Sequence, residues 1–507
     1  MNETVNRVER FAVFELPLKV QGEALNPYKD LRAEVHFMRP NGREWRVEAF
    51  WDGGSNFKAR ISPDTTGLWR YRVDASDPAM HGQSGSFECI PSSRRGGIEI
   101  MRGYPMHLQH QDGTPLYFFG ETAWVAFGYI PAKNFNRTTF FRYVDRRASQ
   151  GFNYMHVMLP SNGGDGSTEW NGCGANENGP MFHDYAAEKI NPAYFQEADV
   201  RLKYMNDKGI CVGLMFNWGY GSPNWKTFPD DASRLRFARY LVARYSAFNV
   251  ALFVSGEWNP WGDESLLSCM DAMGREVAAR DPHNRLRGIH PWPTKGYEFY
   301  REDWHTFGDY QQNFFGLHHR MLGPRRANKP VINSEYGYHL RDADGDGVPD
   351  KDNSHTLEEM RHASWDVAMS GGYLVTGFGS TYYGGWRDPG PFAPEAPKNL
   401  DFEDDIQHLR AFFEKLEFWK MEPADHLVSV DKGIAWGLAE CGRQYAVYVR
   451  EAESVRVNLA GILGKATVQC FDPRTGERSS LPDARGGGVV SLNVPDKQDW
   501  VFLITPK

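Results

Sequence analysis

Between residues 115 and 379 the chain alternates short, almost wholly apolar runs with longer segments whose apolar positions recur at helical spacing. The runs are PLYFFGE (115–121), FNYMHVML (152–159), ICVGLMFN (210–217), VALFVSGE (250–257), RLRGIH (285–290), HTFGDYQQ (305–312), PVINSEYG (330–337) and YLVTGFG (373–379). A strand covered on both faces reads as a continuous apolar run, as a parallel sheet wrapped by helices requires. Between the runs lie TTFFRYVDRRASQ, YFQEADVRLKYMNDKG, SRLRFARYLVARYSAF, SLLSCMDAMGREVAAR and TLEEMRHASWDVAMSG, and DIQHLRAFFEKLEFW follows the last. In SRLRFARYLVARYSAF, Leu235, Ala238, Leu241, Val242 and Tyr245 share one helical face, as a helix lying on a sheet should. Eight strands, nearly all followed by a helix, predict an α/β fold of (β/α)8 (TIM) barrel type over 98–422. A doubly wound sheet would carry a Gly-rich phosphate turn after its first strand, and PLYFFGETAW has none.

The flanks have a different period. Over 1–97 the runs AEVHFMRP, WRVEAFWD, FKARISP and WRYRVDAS alternate apolar and polar positions and are cut by NG (41–42), DGG (52–54) and SPDTTG (62–67). Short strands at this spacing predict an antiparallel β-sandwich. From 423 to 507, HLVSVDKGIAWGLAE, QYAVYVREA, VRVNLAG, ATVQCFDPRTGE, VVSLNVP and WVFLITP predict a second, smaller one.

A barrel carries its chemistry at the C-terminal ends of its strands. The first run delivers Glu121 there, with Trp124 just beyond; the second leads to Asn162, and the third to Asn217 and Trp218. The fourth ends in Glu257, Trp258 and Asn259, the fifth in His290 and Trp292, and the sixth in Asp309, Tyr310, Gln311 and Gln312, of which Tyr310 is the contact singled out. The seventh ends in Glu335 and Tyr336, and Trp386 follows the eighth. Two glutamates thus close the fourth and seventh strands. A carboxyl pair flanking a bond is what glycoside hydrolysis needs: one acid protonates the leaving oxygen, and the other attacks the anomeric carbon or activates water. The surrounding Trp, Tyr, His and Asn offer stacking faces and hydroxyl-reading hydrogen bonds, and Tyr310 or Tyr336 is placed to hydrogen-bond Glu335. Taken singly, each of these residues also has an ordinary structural reading, as a strand-end ion pair, a satisfied histidine or core packing.

FFGETAW, the F-N-W motif, RYLVARYSAFNVALFVSGEWN and KPVINSEYGY resemble the apiosidase-like (DUF4038-like) barrels, within the large clan of retaining (β/α)8 glycoside hydrolases. FWDG and PDTTGLWRYRV resemble the DUF5060 domain that often precedes such barrels, and the C-terminal sandwich resembles the small β-domain that often closes them. The resemblance spans nearly the whole chain. It implies Glu257 as general acid/base and Glu335 as nucleophile of a retaining hydrolase. Two positions depart from the pattern. The clan's Asn-Glu pair is Gly256-Glu257 here, and the Gly-Asp-Thr that more often ends the first strand of the family is Gly120-Glu121-Thr122. The missing Asn leaves Asn217, Asn259 or Asn162 to hold a sugar hydroxyl.

Composition narrows the partners. Of 507 residues, 57 are Lys or Arg and 65 Asp or Glu, a net charge of −8 without a like-charge block, which speaks against nucleic acid and anionic membranes. No apolar run approaches the roughly 18 residues of a membrane span. Aromatics reach 14%, with many Trp set between Gly, Asn and Pro, where stacking on sugar rings is one use for them. The expected partner is therefore an oligosaccharide, and the two flanking sandwiches offer surfaces for a homo-oligomer. Six cysteines without a CxxC pair read as reduced thiols. The first twenty residues do not read as a signal peptide, so the expected location is cytoplasmic, secretion requiring a leader outside this sequence.

No cofactor is expected for catalysis. After the seventh strand, Asp342, Asp344, Asp346, Gly347 and Asp350 match D-x-D-x-D-G-x-x-D, the spacing of a structural calcium loop, with Asn353 where the bidentate Glu would stand; a solvated acidic turn is the alternative. HExxH, GxxxxGK[ST] and GxSxG are absent. The sequence thus favours a retaining glycoside hydrolase, exo-acting on short oligosaccharides from plant or microbial polysaccharide. Its rivals are a non-catalytic carbohydrate-binding barrel and a transglycosylase.

Overall fold

The computed structural model describes residues 6–22, 24–129, 135–159, 175–184, 186–219, 225–259, 262, 264–292, 299–311, 316–339, 354–377 and 403–507. Asn162, Trp386 and the aspartates of the expected calcium loop, Asp342, Asp344, Asp346 and Asp350, lie outside the described residues.

Eight parallel strands form the central sheet: β1 (Phe119–Thr122), β2 (Tyr154–Met158), β3 (Cys211–Met215), β4 (Val250–Phe253), β5 (Leu286–Gly288), β6 (Gly308–Gln311), β7 (Val331–Glu335) and β8 (Tyr373–Thr376). They pair in the order β5-β4-β3-β2-β1-β8-β7-β6. Among the described residues β5 and β6 are the two ends of this ladder, and Thr306 stitches them together. Its N–H donates to the Arg287 carbonyl at 3.0 Å, and its hydroxyl accepts the Arg287 N–H at 2.8 Å. Around the barrel run α1 (Arg137–Ser149), α2 (Pro192–Asp207), α3 (Asp231–Tyr245), α4 (Leu267–Arg280), α5 (Leu317–Leu322), α6 (Leu357–Met369) and α7 (Glu403–Phe413). Their starts are chemically marked: Asn136 with Thr139 and Thr356 with Glu359 form capping boxes, and the Asp230 carboxylate accepts the Ser233 N–H.

The first expected strand is in fact two. Pro115–Leu116 belongs to a small antiparallel sheet with Leu108–His110 and Ile98–Ile100, and only Phe119–Thr122 joins the barrel. The Asn153 side chain separates them: its Oδ1 accepts the Phe119 N–H and its Nδ2 donates to the Tyr117 carbonyl, both at 2.9 Å. In β1 the alternation of side chains turns Glu121 to the face opposite its neighbours Gly120 and Thr122. Its carboxylate accepts hydrogen bonds from Arg147 Nε at 2.6 Å and from the Tyr143 hydroxyl, both on α1, and Glu121 and Arg147 are fully buried. Glu121 is therefore a strand-to-helix ion pair and not the sugar contact expected from its place at a strand end.

The N-terminal β-region has a five-stranded sheet (Asn6–Glu9, Ser84–Ile90, Gly67–Ala75, Ala33–Met38, Glu44–Glu48) facing a three-stranded one (Phe14–Lys19, Asn56–Ile61, Phe50–Trp51) around a core of Val35, Phe37, Ala59, Ile61, Trp69 and Phe87. It docks on the barrel through charge. Arg60 binds Asp199 of α2 at 2.7 Å and the Arg244 carbonyl at 3.0 Å, while the buried Arg244 of α3 binds Asp199 and Asp52.

The C-terminal region pairs a six-stranded sheet, from Glu422–Pro423 to Trp500–Pro506, with a three-stranded one (Val428–Ser429, Ser454–Asn458, Val489–Asn493). It is anchored to α6. Arg361 grips Asp499 bidentately at 2.9 and 2.8 Å, Asp366 accepts from Arg450 and the Trp436 indole at 2.8 Å, and Trp365 stacks on Tyr448. Among the described residues no helix is long and apolar enough to cross a membrane. Cys89, Cys211, Cys269, Cys441 and Cys470 are free thiols, and Cys173 lies outside the described residues.

These buried charges have measurable consequences for stability. Replacing Asp499 by Asn leaves Arg361 without its counter-charge and lowers stability by about 3 kcal/mol, read from urea unfolding at pH 7. Burial raises the Asp499 carboxyl, but His362 and Arg361 outweigh it and hold the group well below its ordinary 3.8. Its contribution is therefore complete above the ordinary carboxylate range and is lost as pH falls from there towards the depressed folded value, so the variant loses less stability than the wild type below pH ~4. Glu121→Gln destabilises by about 2 kcal/mol in the same assay and leaves the KM for substrate within about twofold.

Candidate active site

Each catalytic candidate owes its position to the residues at or just after the end of a strand. β4 ends at Phe253, four residues before Glu257, and the chain continues by pairing Gly256 with Trp218. The Gly256 N–H donates to the Asn217 carbonyl at 2.9 Å and its own carbonyl accepts the Gly219 N–H at 2.8 Å. A Cβ on Gly256 would lie 2.0 Å from the Trp218 ring, so the asparagine common at this place in the clan has no room here. Glu257 then takes a left-handed conformation, φ +36°, which is costly for a residue with a side chain and is held by the pairing on either side. The result turns its carboxylate towards the Trp218 indole, which donates to Oε2 at 3.2 Å.

Glu335 is the last residue of β7 and is half-buried, whereas Glu257 is buried. Its Oε1 accepts from the Tyr338 hydroxyl, and its Oε2 accepts from Gln311 Nε2 at 2.7 Å. The same Gln311 nitrogen donates to Glu257 Oε1 at 3.1 Å. One amide, at the end of β6, therefore ties the two carboxylates together, and an oxygen of each lies within 4.8 Å of the other. The phenol on Glu335 is Tyr338, not Tyr310 or Tyr336. Tyr336 is the immediate neighbour of Glu335 and points the other way, to Ser364 of α6 at 2.8 Å, while Tyr310 packs on Tyr300 with centroids 5.5 Å apart.

Below the pair sits His290. Its Nε2 lies 3.3 Å from Glu335 Oε2, and its Nδ1 is 3.2 Å from Asp309 Oδ1 and 3.1 Å from the Ser334 hydroxyl. Burial alone would lower its pKa, but Asp309 and then Glu335 outweigh it and hold the imidazole at about 10, a cation at neutral pH. Burial pushes the Asp309 carboxyl up, opposed by His290 and Ser334. His156 of β2 packs on His290 with centroids 5.8 Å apart; its burial and the neighbouring charge keep it far below its usual pKa, hence neutral. The donor atoms of Glu257, His290 and Glu335, and likewise of His156, His290 and Asp309, are close enough together to hold a metal ion.

The other expected contacts sort into three groups. Trp124 and Trp218 build the wall around the carboxylates, their rings 5.2 Å apart, and the Trp124 indole donates to the Tyr338 hydroxyl at 3.2 Å. Asn259 and Trp258 serve the scaffold, whereas Asn217 uses its Oδ1 and leaves its buried Nδ2 without a hydrogen-bond partner among the described residues. Asn217 accepts the Trp218 N–H at 2.7 Å, Asn259 accepts the Trp292 N–H at 3.0 Å, and Trp258, only 1% exposed, packs on Phe299. Trp292 is half-buried beside Asn259. Gln311, Tyr338, Asp309 and Ser334 do not stand out in the sequence. The signal for Gln311 is its place two residues after Asp309 on one strand, which puts both side chains on one face.

Comparison with known proteins agrees with this layout. Residues 105–420 match the family described as "Apiosidase-like, catalytic domain", residues 7–76 match "Domain of unknown function (DUF5060)", and residues 435–505 match "Putative collagen-binding domain of a collagenase". No curated protein matches the chain. A crystal structure of a "putative glycoside hydrolase" from Bacteroides vulgatus ATCC 8482 is 20% identical, covers 99% of each chain and superposes with a TM-score of 0.78. A glycoside hydrolase family 5 structure from the same organism is 16% identical over 81% of this chain and 93% of its own, with a TM-score of 0.67. These likenesses establish the fold, and the match over more than half of the sequence establishes the lineage: the chain belongs to the apiosidase-like family.

Proposed function

We propose that the protein is a retaining glycoside hydrolase, with Glu335 as nucleophile and Glu257 as acid/base, that releases terminal sugars from short oligosaccharides of plant or microbial polysaccharide. The observation that carries this is the carboxylate pair, with oxygens within 4.8 Å of one another and bridged by Gln311. Retaining enzymes hold their two carboxyl groups about 5–5.5 Å apart, whereas inverting ones leave about 6.5–9.5 Å for a water.

The division of labour follows from the surroundings. Glu335, the proposed nucleophile, accepts from Tyr338 and Gln311 and lies 3.3 Å from His290 Nε2. Glu257, the proposed acid/base, accepts from the Trp218 indole and the Gln311 amide, the latter shared with Glu335. In the first step a Glu335 oxygen bonds the anomeric carbon while the bond to the leaving oxygen breaks, and Glu257 gives that oxygen its proton. In the second, Glu257 takes a proton from water, the water oxygen bonds the anomeric carbon and Glu335 leaves as carboxylate. The net change is hydrolysis of one glycosidic bond. Trp124 and Trp218, only 3% and 4% exposed, shape the walls beside the carboxylates rather than offering a broad stacking face.

Glu335→Gln lowers kcat on an aryl glycoside by about 10⁴-fold or more, as loss of a nucleophile does, while leaving glycan affinity largely intact. Unchanged turnover in that variant would remove Glu335 from the chemistry. Glu257→Ala behaves differently. It still releases a good leaving group such as 2,4-dinitrophenol, stalls at the glycosyl-enzyme, and is accelerated by azide with formation of a glycosyl azide; no azide effect would remove Glu257 as acid/base.

A further inference from the structure

Asp309, His290 and Ser334 form a buried set beneath Glu335 that the two-carboxylate reaction does not by itself require. His290 and Ser334 are fully buried and Asp309 is 3% exposed. Asp309 accepts from Ser334, and the Nδ1 of His290 lies within hydrogen-bond reach of both, which fixes the ring plane and puts a proton on Nδ1. The opposite nitrogen, Nε2, is left facing Glu335 Oε2 at 3.3 Å.

We propose that this Asp309–His290 pair is a positioning device for Glu335, which keeps a fixed imidazolium 3.3 Å from the carboxylate that must leave the anomeric carbon when the glycosyl-enzyme is hydrolysed. The proposal rests on Glu335 being the nucleophile. In that step the C–O bond to Glu335 breaks with its electron pair passing to the carboxylate, and negative charge returns to a group faced by His290 Nε2 and Gln311 Nε2. A fixed opposite charge beside developing charge in a water-poor site needs no reorganisation when the charge appears. Forming the glycosyl-enzyme gains less, because there the charge on Glu335 disappears. The pair therefore acts mainly on the second half of the reaction.

Every group around the ring fits this role. Asp309 of β6, together with Ser334 and Glu335 of β7, favours the imidazolium. Glu257, beyond β4, has an oxygen within 4.8 Å of a ring nitrogen. His156 of β2 is neutral and adds no competing charge. Trp124 and Trp218 cover the ring at 5.4 and 5.8 Å between centroids, their π-faces compatible with a cation.

The first test reads the ring directly. In protein labelled with ¹⁵N-histidine, with the signal assigned by its loss in His290→Gln, both nitrogens of His290 stay protonated from pH 5 to 9. A His290 that is neutral at pH 7 overturns the proposal. The second test separates the half-reactions in Asp309→Asn. Steady-state kcat on a 2,4-dinitrophenyl glycoside falls by about 100-fold while first-turnover release falls far less, giving a burst of phenol and an accumulated glycosyl-enzyme visible by intact mass. Equal loss in both phases overturns it.

Ser334→Ala, which keeps every charge, shows the same split at smaller amplitude and guards against a folding defect in the aspartate variant. Incubation of the wild type with a 2,4-dinitrophenyl 2-deoxy-2-fluoro glycoside of the sugar it cleaves labels Glu335. If another residue is labelled, the assignment of the nucleophile fails, whereas a neutral His290 with Glu335 labelled contradicts the device alone.

Discussion

Two carboxylates held within 4.8 Å of each other at the mouth of a barrel repel, and most of what is distinctive in this fold answers that repulsion. Gln311 donates to both through one nitrogen, which sets their separation, and His290 brings positive charge to one of them. The indole of Trp218 and the hydroxyl of Tyr338 take up one further oxygen on each side. The partners are unequal, and in the proposed reaction that inequality gives two chemically identical side chains different work. Environment, not residue type, distinguishes an acid from a nucleophile in such pairs.

Holding side chains to that tolerance needs a stiff frame. The strands that carry the site are covered on their outer faces by helices and tied in with buried charge: Glu121 to Arg147 on one side, Asp309 to Ser334 and His290 inside. The two β-regions do not reach the carboxylates among the described residues, but both bear on helices of the barrel. Arg60 and Asp52 meet α2 and α3, and Asp499 and Arg450 meet α6, whose Ser364 in turn holds the Tyr336 hydroxyl next to Glu335. A chain of contacts thus runs from the C-terminal sheet to the end of β7.

Much of this is legible in the sequence, and the limits have physical causes. Continuous apolar runs mark parallel strands well because both faces are buried, and the runs at 250–257 and 330–337 bring Glu257 and Glu335 to one end of the barrel. A strand end does not say which way a side chain points. Glu121 and Tyr310 are expected at the substrate, and the period of two turns both away, into α1 and against Tyr300. Trp258 stands in a loop context that suggests stacking, yet it fills the space beside Phe299. Conversely, Gln311 and Tyr338 look unremarkable in one dimension: Gln311 reaches both glutamates from β6, and Tyr338 folds back onto Glu335 from just past β7. The replacement of Asn by Gly at 256 is visible at once, but its cause, the Trp218 ring in the space a side chain would fill, is purely spatial.

The proposed chemistry turns on Glu335 attacking carbon directly. Its most direct test is the configuration of the first-formed sugar, followed by ¹H NMR during the initial minutes of hydrolysis of an aryl glycoside, before mutarotation mixes the anomers. Double displacement predicts that the product appears with the anomeric configuration of the substrate. First appearance of the opposite anomer would show a single displacement by water and contradict both Glu335 as nucleophile and Glu257 as acid/base.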